Sequence, residues 1–357
     1  MNQSSYTVIG LMSGTSGDGL DMALCEFNKD SSWSFRILEA ETSPFPTSLE
    51  LDLMRSHILS ALELSILDVR FGKWMGEQIN LFCKKYPCKP DAICSHGHTV
   101  YHQPDKGLSL QIGNGWALYQ QTGIKVINDF RMLDVQLGGQ GAPLVPIGDE
   151  LLFPEMDFCI NLGGIANISM NWEGKRIAFD TCPFNLLLNP LAKLLGADYD
   201  DQGKWASEGK VDSNLLRDLN SISFYQKSSA KSLGREDLEK DFIPLISASP
   251  ASERDILATL IEHYAFQIGT VIKDFSSKPN SKVLFTGGGA YNKFFIQSLE
   301  NHLDGAIFFE KTSTQLIEFK EALIFGFLGV LRLRGEINCL SSVTGARRDS
   351  SGGMIFG

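Results

Sequence analysis

The sequence predicts a two-domain α/β protein, and three observations lead to this prediction. The chain has 357 residues, which exceeds the length at which a single hydrophobic core usually stops growing. Segments with strand and helix patterns alternate along it, as in proteins whose helices cover a sheet. A pattern of strand, glycine turn and strand occurs twice, near the start of the chain and again after residue 157, which suggests a duplicated fold. The apolar (43%) and charged (21%) contents are ordinary for a globular protein and suffice for two cores.

The first part of the chain predicts strands on either side of a long helical stretch. Residues 49–86 carry apolar side chains at a loose helical spacing, so we expect this stretch to be helical. The predicted strands are apolar or alternating segments. They cover residues 7–12, 22–27, 34–41, 92–95, 109–112 and 125–129.

The second part repeats this organisation. Residues 252–275 have apolar side chains on one helical face, and residues 321–333 are nearly all apolar, which predicts a buried helix. A further helix is expected at residues 292–303, and strands at residues 158–161, 167–170, 176–179 and 282–286. No flexible linker separates the halves. We place the first domain at residues 1–130 plus 335–357 and the second at residues 131–334.

Charge and composition exclude several classes of function. The net charge of −10 makes nucleic acid a poor partner. It does not exclude a nucleotide, which backbone N–H groups and a metal ion can hold. The N-terminus has no signal-peptide pattern and no apolar run is long enough for a membrane span. The seven cysteines include no CxxC pair, so we expect reduced thiols in a cytoplasmic protein.

Three glycine turns are candidates for binding phosphate. The first, SGTSGDG at residues 13–19, has closely spaced N–H groups and hydroxyls that can form an anion-binding nest, and Asp18 or Asp21 could hold Mg²⁺ through water. A plain hairpin turn is the alternative. The other two are Gly163–Gly164 and the strand–glycine–helix segment with Gly287, Gly288 and Gly289. Each is weak alone, but together they suggest a phosphate held between two hairpins, with the base on a third loop.

Three aspartates follow predicted strands, where catalytic groups are often placed. They are Asp129, Asp134 and Asp180. A single aspartate in that position is usually a turn or cap residue. Asp180 has apolar residues before it and a proline after it, so we expect it to be partly buried. Partial burial favours a general base.

Three histidines lie close together in the sequence, at His96, His98 and His102. Two of them would share one face of a strand, as metal ligands can. No carboxylate or cysteine at a matching spacing completes a zinc site. Hydrogen-bonded structural histidines are therefore the default interpretation, and no metal ligand is assigned.

The motifs, taken in order, resemble those of the anhydro-N-acetylmuramic acid kinases, and the resemblance covers nearly the whole chain. They are GLMSGTSGDGLD (10–21), SHGHTVYHQP (95–104), QIGN (111–114), DFRMLDVQLGGQGAPLVP (129–146), NLGGIANIS (161–169), AFDTCPFN (178–185), SLGRE (232–236), TGGGAYN (286–292) and VTGA (343–346).

This resemblance implies an actin-like ATPase fold, which consists of two ribonuclease H-like domains with ATP in an interdomain cleft. It implies that ATP and water convert 1,6-anhydro-N-acetylmuramic acid to N-acetylmuramic acid 6-phosphate and ADP, with Mg²⁺ as cofactor. The expected partners are this small sugar and a second copy of the chain in a homodimer. Asp180 would be the catalytic base, and Arg131 and Glu321 would bind the sugar. The nucleotide would contact Gly14, Thr15, Ser16, Gly17, Asp18, Gly19, Leu20, Asp21, Gly163, Gly164, Gly287, Gly288 and Gly289.

The sequence departs from the family pattern at a few positions. The family's FDxGPGN reads FDTCPFN here, so Cys182 and Phe184 replace two glycines after the proposed base. His98 replaces a usual glutamine, and Gly17 a larger apolar residue. Because phenylalanine fills space that glycine leaves open, these changes concern the sugar pocket more than the nucleotide site. Two alternatives therefore stay open: a kinase of a different amino sugar and a non-catalytic nucleotide-binding homologue.

Overall fold

The computed structural model describes residues 3–13, 19–226, 231–276, 280–303, 307–310 and 312–357. The chain forms two compact units. The first unit is Met1–Phe153 with Phe319–Gly357, and the second unit is Pro154–Glu318. Residues 131–153 and 319–334 thus belong to the first unit, whereas the boundaries drawn from the sequence put them in the second domain. The physical reason is packing: a Cβ added at Gly10 would lie 1.8 Å from the carbonyl oxygen of Ala322, because the helix around Ala322 packs directly on the first strand.

The strands are numbered in chain order. They are β1 Ser5–Ser13, β2 Leu20–Lys29, β3 Trp33–Ser43, β4 Ala92–Ser95, β5 His98–Gln103, β6 Leu108–Ile112, β7 Val126–Asn128, β8 Phe158–Leu162, β9 Ile165–Trp172, β10 Lys175–Pro183, β11 Ser281–Thr286, β12 Ile307–Phe309 and β13 Met354–Phe356.

The α-helices are numbered in the same way. They are α1 Thr47–Met54, α2 Ala61–Lys85, α3 Gly115–Thr122, α4 Met132–Gln136, α5 Pro146–Leu152, α6 Asn185–Leu194, α7 Lys204–Glu208, α8 Ser213–Asn220, α9 Arg235–Asp237, α10 Ile243–Ala248, α11 Glu253–Phe275, α12 Lys293–His302, α13 Thr314–Arg334 and α14 Ser341–Thr344.

The main sheets of the two units have the same topology. In the first unit the order is β13-β7-β4-β1-β2-β3, where β1, β2 and β3 are antiparallel and β4 and β7 run parallel to β1. In the second unit the order is β10-β9-β8-β11-β12, where β8, β9 and β10 are antiparallel and β11 and β12 run parallel to β8. Three antiparallel strands followed by two parallel ones form the ribonuclease H-like sheet. The predicted α/β class and the duplicated fold are confirmed.

The predicted helices are present. Residues 49–86 are helical as predicted, but in separate elements: α1 ends at Met54, a 3₁₀ turn covers Ser56–Ile58, and α2 starts at Ala61. Ser60 and Glu63 form a capping box there, in which each side chain bonds the other residue's backbone N–H. The helices predicted at 252–275, 292–303 and 321–333 are confirmed as α11, α12 and the buried part of α13.

Each unit has its own apolar core. In the first unit the face of α2 that carries Phe71, Met75 and Ile79 packs with the buried residues of β1 and β2. In the second unit α11 supplies the central part of the core, including the fully buried Tyr264. Every helix of the described residues is too short or too polar to span a lipid bilayer.

Candidate active-site residues

The predicted base, Asp180, lies on β10 beside an irregularity of the sheet. The pairing of β10 with β9 shifts between Asp180 and Cys182, and such β-bulges redirect side chains, often next to active sites. Thr181, the extra residue, donates its hydroxyl to the carbonyl oxygen of Ala166 at 3.0 Å. Leu233 donates its backbone N–H to Asp180 Oδ2 at 2.9 Å. The other carboxylate oxygen, Oδ1, has no donor among the described residues.

The environment of Asp180 makes its carboxyl group a stronger base than an exposed one. Burial raises the pKa of Asp180 from 3.8 to about 6, although the hydrogen bond from Leu233 acts in the opposite direction. Desolvation disfavours the charged form, and a single hydrogen bond compensates only in part. The group is therefore mostly ionised at neutral pH but can accept a proton from a water molecule. The expected partial burial is confirmed.

The two residues after Asp180 that differ from the family pattern, Cys182 and Phe184, do not project into an open pocket. Cys182 and Phe184 are both fully buried in the core of the second unit. The ring of Phe184 lies 5.2 Å from that of Tyr264 and 5.0 Å from that of Phe295. Phe184 thus packs inside the apolar core of the second unit, and its effect on the sugar pocket stays a prediction. Its side chain packs beneath the glycine turn that follows β11, because a Cβ at Gly289 would lie 2.4 Å from Phe184 Cε1.

Gly163 and Gly164 form the turn between β8 and β9, as predicted. Their carbonyl groups accept hydrogen bonds from the first residues of the segment that leads into α6. Gly163 accepts from Asn185 at 3.2 Å, and Gly164 accepts from Phe184 at 2.9 Å and from Leu186 at 3.1 Å. The turn is thus fixed to the start of α6, which follows Asp180 by a few residues.

Of the three glycines after β11, Gly287 precedes a 3₁₀ turn at Gly288–Tyr291, and α12 starts after it at Lys293. The predicted order of strand, glycines and helix is confirmed, except that this turn intervenes. Gly287 has a positive φ of 79°, and a Cβ there would lie 2.7 Å from Asn161 Oδ1. Gly288 faces open space, since the nearest atom to an added Cβ is Asn185 Nδ2 at 4.0 Å. Another molecule can therefore approach the backbone at Gly288 closely.

A cavity of about 540 Å³ opens in front of these glycines, wholly within the second unit. A volume of this size accommodates a small-molecule ligand. Tyr199 and Tyr291 contribute aromatic surface, and the amide side chains of the lining can donate and accept hydrogen bonds. The lining consists of Asn185, Leu188, Asn189, Tyr199, Asp200, Asp201, Gln202, Gly288, Gly289, Tyr291, Asn292 and Lys293. Sequence reasoning found only its glycines, because no local pattern marks scattered asparagines and tyrosines as neighbours.

In the first unit Arg131 is held by acceptors that carry no charge. Its Nε and Nη2 lie 3.0 and 2.9 Å from His96 Nε2, and its Nη1 donates to the carbonyl oxygen of Gly141 at 2.6 Å. The other ring nitrogen of His96, Nδ1, lies 2.9 Å from the carbonyl oxygen of Gly97. A nitrogen facing a carbonyl must carry the proton, so Nε2 is the acceptor for Arg131. Burial and the charge of Arg131 hold the pKa of His96 well below its usual value, which keeps the ring neutral.

Arg131 and Glu321, the two predicted sugar-site residues, are brought together although 190 positions separate them in the sequence. Burial lowers the pKa of Arg131 to about 10, while the charge of Glu321 acts to raise it. Burial also raises the pKa of Glu321; the charge of Arg131 opposes this shift and that of Asp21 adds to it. Asp21 on β2 in turn accepts a hydrogen bond from the Thr42 hydroxyl at 2.6 Å. The charge of Lys320 also acts on Glu321, so the first unit holds two cations, Arg131 and Lys320, near the carboxylates of Glu321 and Asp21.

The first glycine turn is described only in part. Gly14, Thr15, Ser16, Gly17 and Asp18 lie outside the described residues. Gly19 has a φ of 153°, and a Cβ there would lie 2.5 Å from the carbonyl oxygen of Ser43. Leu20 is fully buried, so its side chain serves the core of the unit.

The carboxyl groups of the other two candidate aspartates, Asp129 and Asp134, accept hydrogen bonds that support the backbone around them. Asp129 has a φ of 56°, and its carboxyl group accepts a hydrogen bond from the backbone N–H of Met132 at the start of α4. Asp134 is buried and accepts bonds from Gly141 N (2.8 Å), Thr344 Oγ1 (2.8 Å) and Cys339 Sγ (3.1 Å). It thereby fixes the GGQGAP loop to the C-terminal segment. Asp129 matches the turn-or-cap alternative, whereas Asp134 connects distant segments of the chain.

The histidines of the first unit make separate contacts. His96 bonds Arg131, and His102 Nδ1 lies 3.1 Å from Ser109 Oγ. His98 starts β5 opposite Ile112, and burial lowers its pKa. Among the described residues, no group of three or more His, Cys, Asp or Glu side chains has the arrangement of a metal site.

Comparison with known proteins gives full-length matches. The family model described as anhydro-N-acetylmuramic acid kinase matches residues 6–357. Proteins with that name from Mannheimia succiniciproducens and Haemophilus influenzae are 35% and 32% identical to this chain. The first comparison covers 98% of both chains, and the second covers 100% of this chain and 99% of the relative. Among solved structures, the activator of the 2-hydroxyisocaproyl-CoA dehydratase from Clostridium difficile is 15% identical with a TM-score of 0.44, over 92% of this chain and 97% of that one. The sequence matches extend over both units.

Proposed function

This chain belongs to the anhydro-N-acetylmuramic acid kinase family, and from that premise we propose that it uses ATP and water to convert 1,6-anhydro-N-acetylmuramic acid to N-acetylmuramic acid 6-phosphate and ADP. The observation that carries the proposal is the carboxylate of Asp180. It is partly buried, has a pKa near 6 and accepts a single hydrogen bond among the described residues. Those are the properties of a general base that works at neutral pH.

The reaction couples a hydrolysis to a phosphoryl transfer. Asp180 takes a proton from water, and the water oxygen attacks the anomeric carbon of the sugar, as in glycoside hydrolysis with inversion. The bond from the anomeric carbon to O6 breaks, and its electron pair stays on O6. O6 then attacks the γ-phosphorus of ATP, and ADP leaves. Since O6 bonds to phosphorus, it needs no proton, which explains why one carboxylate suffices.

We infer that the cavity of the second unit binds the nucleoside part of ATP. Its volume of about 540 Å³ and its mixture of tyrosine and amide side chains suit a base and ribose. Gly288 leaves the backbone open to approach, so the N–H groups of the glycine turns could contact phosphate oxygens. Gly163 and Gly164, and the turn at residues 14–19, are proposed to contribute in the same way.

The proposed cofactor is Mg²⁺, which prefers carboxylate oxygens and usually keeps several waters. Asp21 is a carboxylate beside the first glycine turn, and Glu321 adds negative charge near it. This donor chemistry fits the ion, so we propose Asp21 as a residue that would hold it. Mg²⁺ would supply charge neutralisation on the transferring phosphoryl group.

Arg131 and Glu321 are proposed to bind the sugar. The guanidinium of Arg131 is fixed by neutral acceptors, and we propose that it donates hydrogen bonds to a polar or anionic group of the substrate beside Glu321. Glu321 can accept hydrogen bonds from sugar hydroxyls.

A cytoplasmic location and a homodimer are further proposals that follow from the family.

An ADP-release assay with 1,6-anhydro-N-acetylmuramic acid and a panel of reducing amino sugars tests the proposal. We expect turnover with the anhydro sugar. In ¹⁸O-water the early product should carry label on the anomeric carbon beyond the exchange of a control sugar. Phosphorylation of a reducing sugar instead would support a different amino-sugar kinase. ATP binding without ADP release on the whole panel would support a non-catalytic protein.

A further inference from the structure

The carboxylate of Asp180 is held by a three-residue segment, residues 231–233, which we term the anchor segment. Asp180 donates its own backbone N–H to the carbonyl oxygen of Lys231 at 2.9 Å. Leu233 donates its N–H to Asp180 Oδ2 at 2.9 Å. Both contacts use the backbone of the anchor segment, so the position of that backbone decides where the carboxylate points.

The side chains of the anchor segment attach it to the second unit at both ends. Leu233 is buried in the core of the unit. The ammonium of Lys231 lies 4.7 Å from the ring centre of Phe224 and 5.6 Å from that of Tyr225. A cation at this distance from an aromatic face is attracted to it, more strongly where water is excluded. Phe224 is itself buried.

The aromatic surface under Lys231 is fixed by a buried hydrogen-bond chain. The hydroxyl of Tyr225 lies 2.8 Å from His263 Nε2, and His263 Nδ1 lies 2.7 Å from Asn220 Oδ1. Gln267 Nε2 donates to the same oxygen of Asn220 at 3.0 Å. Since Asn220 Oδ1 is an acceptor, His263 carries its proton on Nδ1 and accepts from Tyr225 through Nε2. This arrangement fixes the ring of Tyr225.

We propose that Lys231 is a positioning residue for the reaction: its ammonium, stacked on Phe224 and Tyr225, fixes the anchor segment so that the N–H of Leu233 orients the carboxylate of Asp180. The proposal rests on the proposed role of Asp180 as the base. Lys231 acts through the backbone of the anchor segment and is not assigned a contact with substrate.

The pH dependence of kcat is simplified because the titratable groups near Asp180 keep one charge state around neutral pH. Besides Lys231, they are the thiol of Cys182, the hydroxyls of Tyr225 and Tyr264, and His263. Burial raises the pKa of the thiol and of both hydroxyls above the neutral range, and it lowers the pKa of His263 to about 3. None of these four groups changes charge between pH 5 and 8, and Glu321, whose pKa is also raised by burial, belongs to the other unit. A shift of the acidic limb that a change at Lys231 causes therefore reports Asp180.

The test compares Lys231→Met with Lys231→Arg and with Lys240→Met, a matched change at an exposed lysine of the same unit. Because the bond from Leu233 lowers the pKa of Asp180, loosening the anchor segment should move the acidic limb of kcat to higher pH. For Lys231→Met we expect that shift and a fall in kcat at neutral pH of roughly tenfold, as for a displaced catalytic group. The KM for ATP should not change. Lys231→Arg keeps the stacked cation and should restore the wild-type limb, and Lys240→Met should match wild type throughout.

Two results would overturn the proposal. One is a lower melting temperature for Lys231→Met, together with an unchanged kcat and an unshifted acidic limb in the pH profile of kcat. That result would assign Lys231 to stability alone. The other is a fall in kcat that Lys231→Arg does not rescue. Failure of the base assignment is distinguishable, because Asp180→Asn would then retain turnover in an otherwise wild-type chain.

Discussion

The two units share a sheet topology but differ in the chemistry that their strand ends carry. In the second unit the third strand, β10, carries Asp180, and the fourth strand, β11, leads into the glycines that line the cavity. In the first unit the third strand, β3, contributes the Thr42 hydroxyl that bonds Asp21. There the fourth strand, β4, leads into His96, which holds Arg131.

This difference shows how one fold supplies two kinds of site. A glycine turn after the fourth strand leaves room for a ligand against the backbone. A histidine in the corresponding place fills the space and fixes a cation. The second unit thus provides a cavity and a carboxylate, Asp180, whose pKa is about 6. The first unit provides the charged side chains of Arg131, Glu321 and Asp21.

The largest effect should come from the base. Asp180→Asn keeps an acceptor for the Leu233 N–H but cannot take a proton from water. We expect kcat to fall by about 100- to 10,000-fold, with ATP affinity nearly intact. Steady-state kinetics and nucleotide-binding calorimetry would measure both, and a variant that retained most of its activity would remove Asp180 from the mechanism.

Phe184→Ala tests whether the unusual residue after the base belongs to the core. Removing a fully buried ring that packs on Tyr264 and Phe295 should cost about 3–5 kcal/mol of the free energy of unfolding. Denaturant unfolding would show this, with Phe266→Ala on the exposed side of α11 as the control. The order of preference among sugars should not change; a new preference would return Phe184 to the sugar pocket.

Arg131→Met tests these charged side chains of the first unit. A hydrogen bond to a charged group contributes about 1.5–3 kcal/mol, so we expect the KM for the sugar to rise by roughly 10- to 100-fold. The KM for ATP should change little. Arg36→Met, at an exposed arginine of β3, is the matched control. An unchanged sugar KM in a folded Arg131→Met variant would contradict the assignment.

The raised pKa of Asp180 also predicts how its stability contribution depends on pH. The folded protein binds the Asp180 proton more tightly than the unfolded chain, with a pKa of about 6 against 3.8. The associated stabilisation is therefore present at pH 4 and is lost as the pH rises through 6. We expect Asp180→Asn to be more stable than wild type by roughly 1–3 kcal/mol at pH 7.5, with the difference shrinking towards pH 4. If Asp180→Asn and wild type had equal unfolding free energies at both pH values, the pKa of Asp180 would not be raised in the folded protein.

The adjacent glycines Gly288 and Gly289 allow the effect of one added methyl group on ATP binding to be compared with its effect on stability. An alanine Cβ at Gly289 would meet Phe184 and Leu162, so Gly289→Ala should lose about 1–3 kcal/mol of stability. At Gly288 the Cβ meets open cavity, so Gly288→Ala should keep its melting temperature. Its KM for ATP should rise by a factor of roughly five, since crowding a packed site costs on the order of 1 kcal/mol. Equal ATP kinetics in Gly288→Ala and wild type would argue that ATP binds elsewhere.

Sequence patterns predicted much of the fold because they report local burial. Alternating segments predicted β1, β2 and β8 through β11, and the apolar face of residues 252–275 predicted α11. The division of residues 49–86 was missed, since the Ser60 and Glu63 capping box interrupts an otherwise continuous apolar pattern. The strands β12 and β13 were not predicted; they have three residues each, too few for a periodic signal. The equally short β7 was predicted from its apolar residues, Val126 and Ile127.

The sequence by itself determined the α/β class, the repeated hairpins, the family and the identity of Asp180 as a candidate base, because motifs and periodicities are local. The tertiary structure alone decided that Asp180 has a pKa of about 6 and accepts a hydrogen bond from Leu233, since burial and such contacts come from distant residues. It also placed Phe184 in the core, brought Arg131 beside His96, and assembled Tyr199 and Tyr291 around one cavity. Contacts between residues far apart in the chain exist only after folding, and they decide what the local motifs can do.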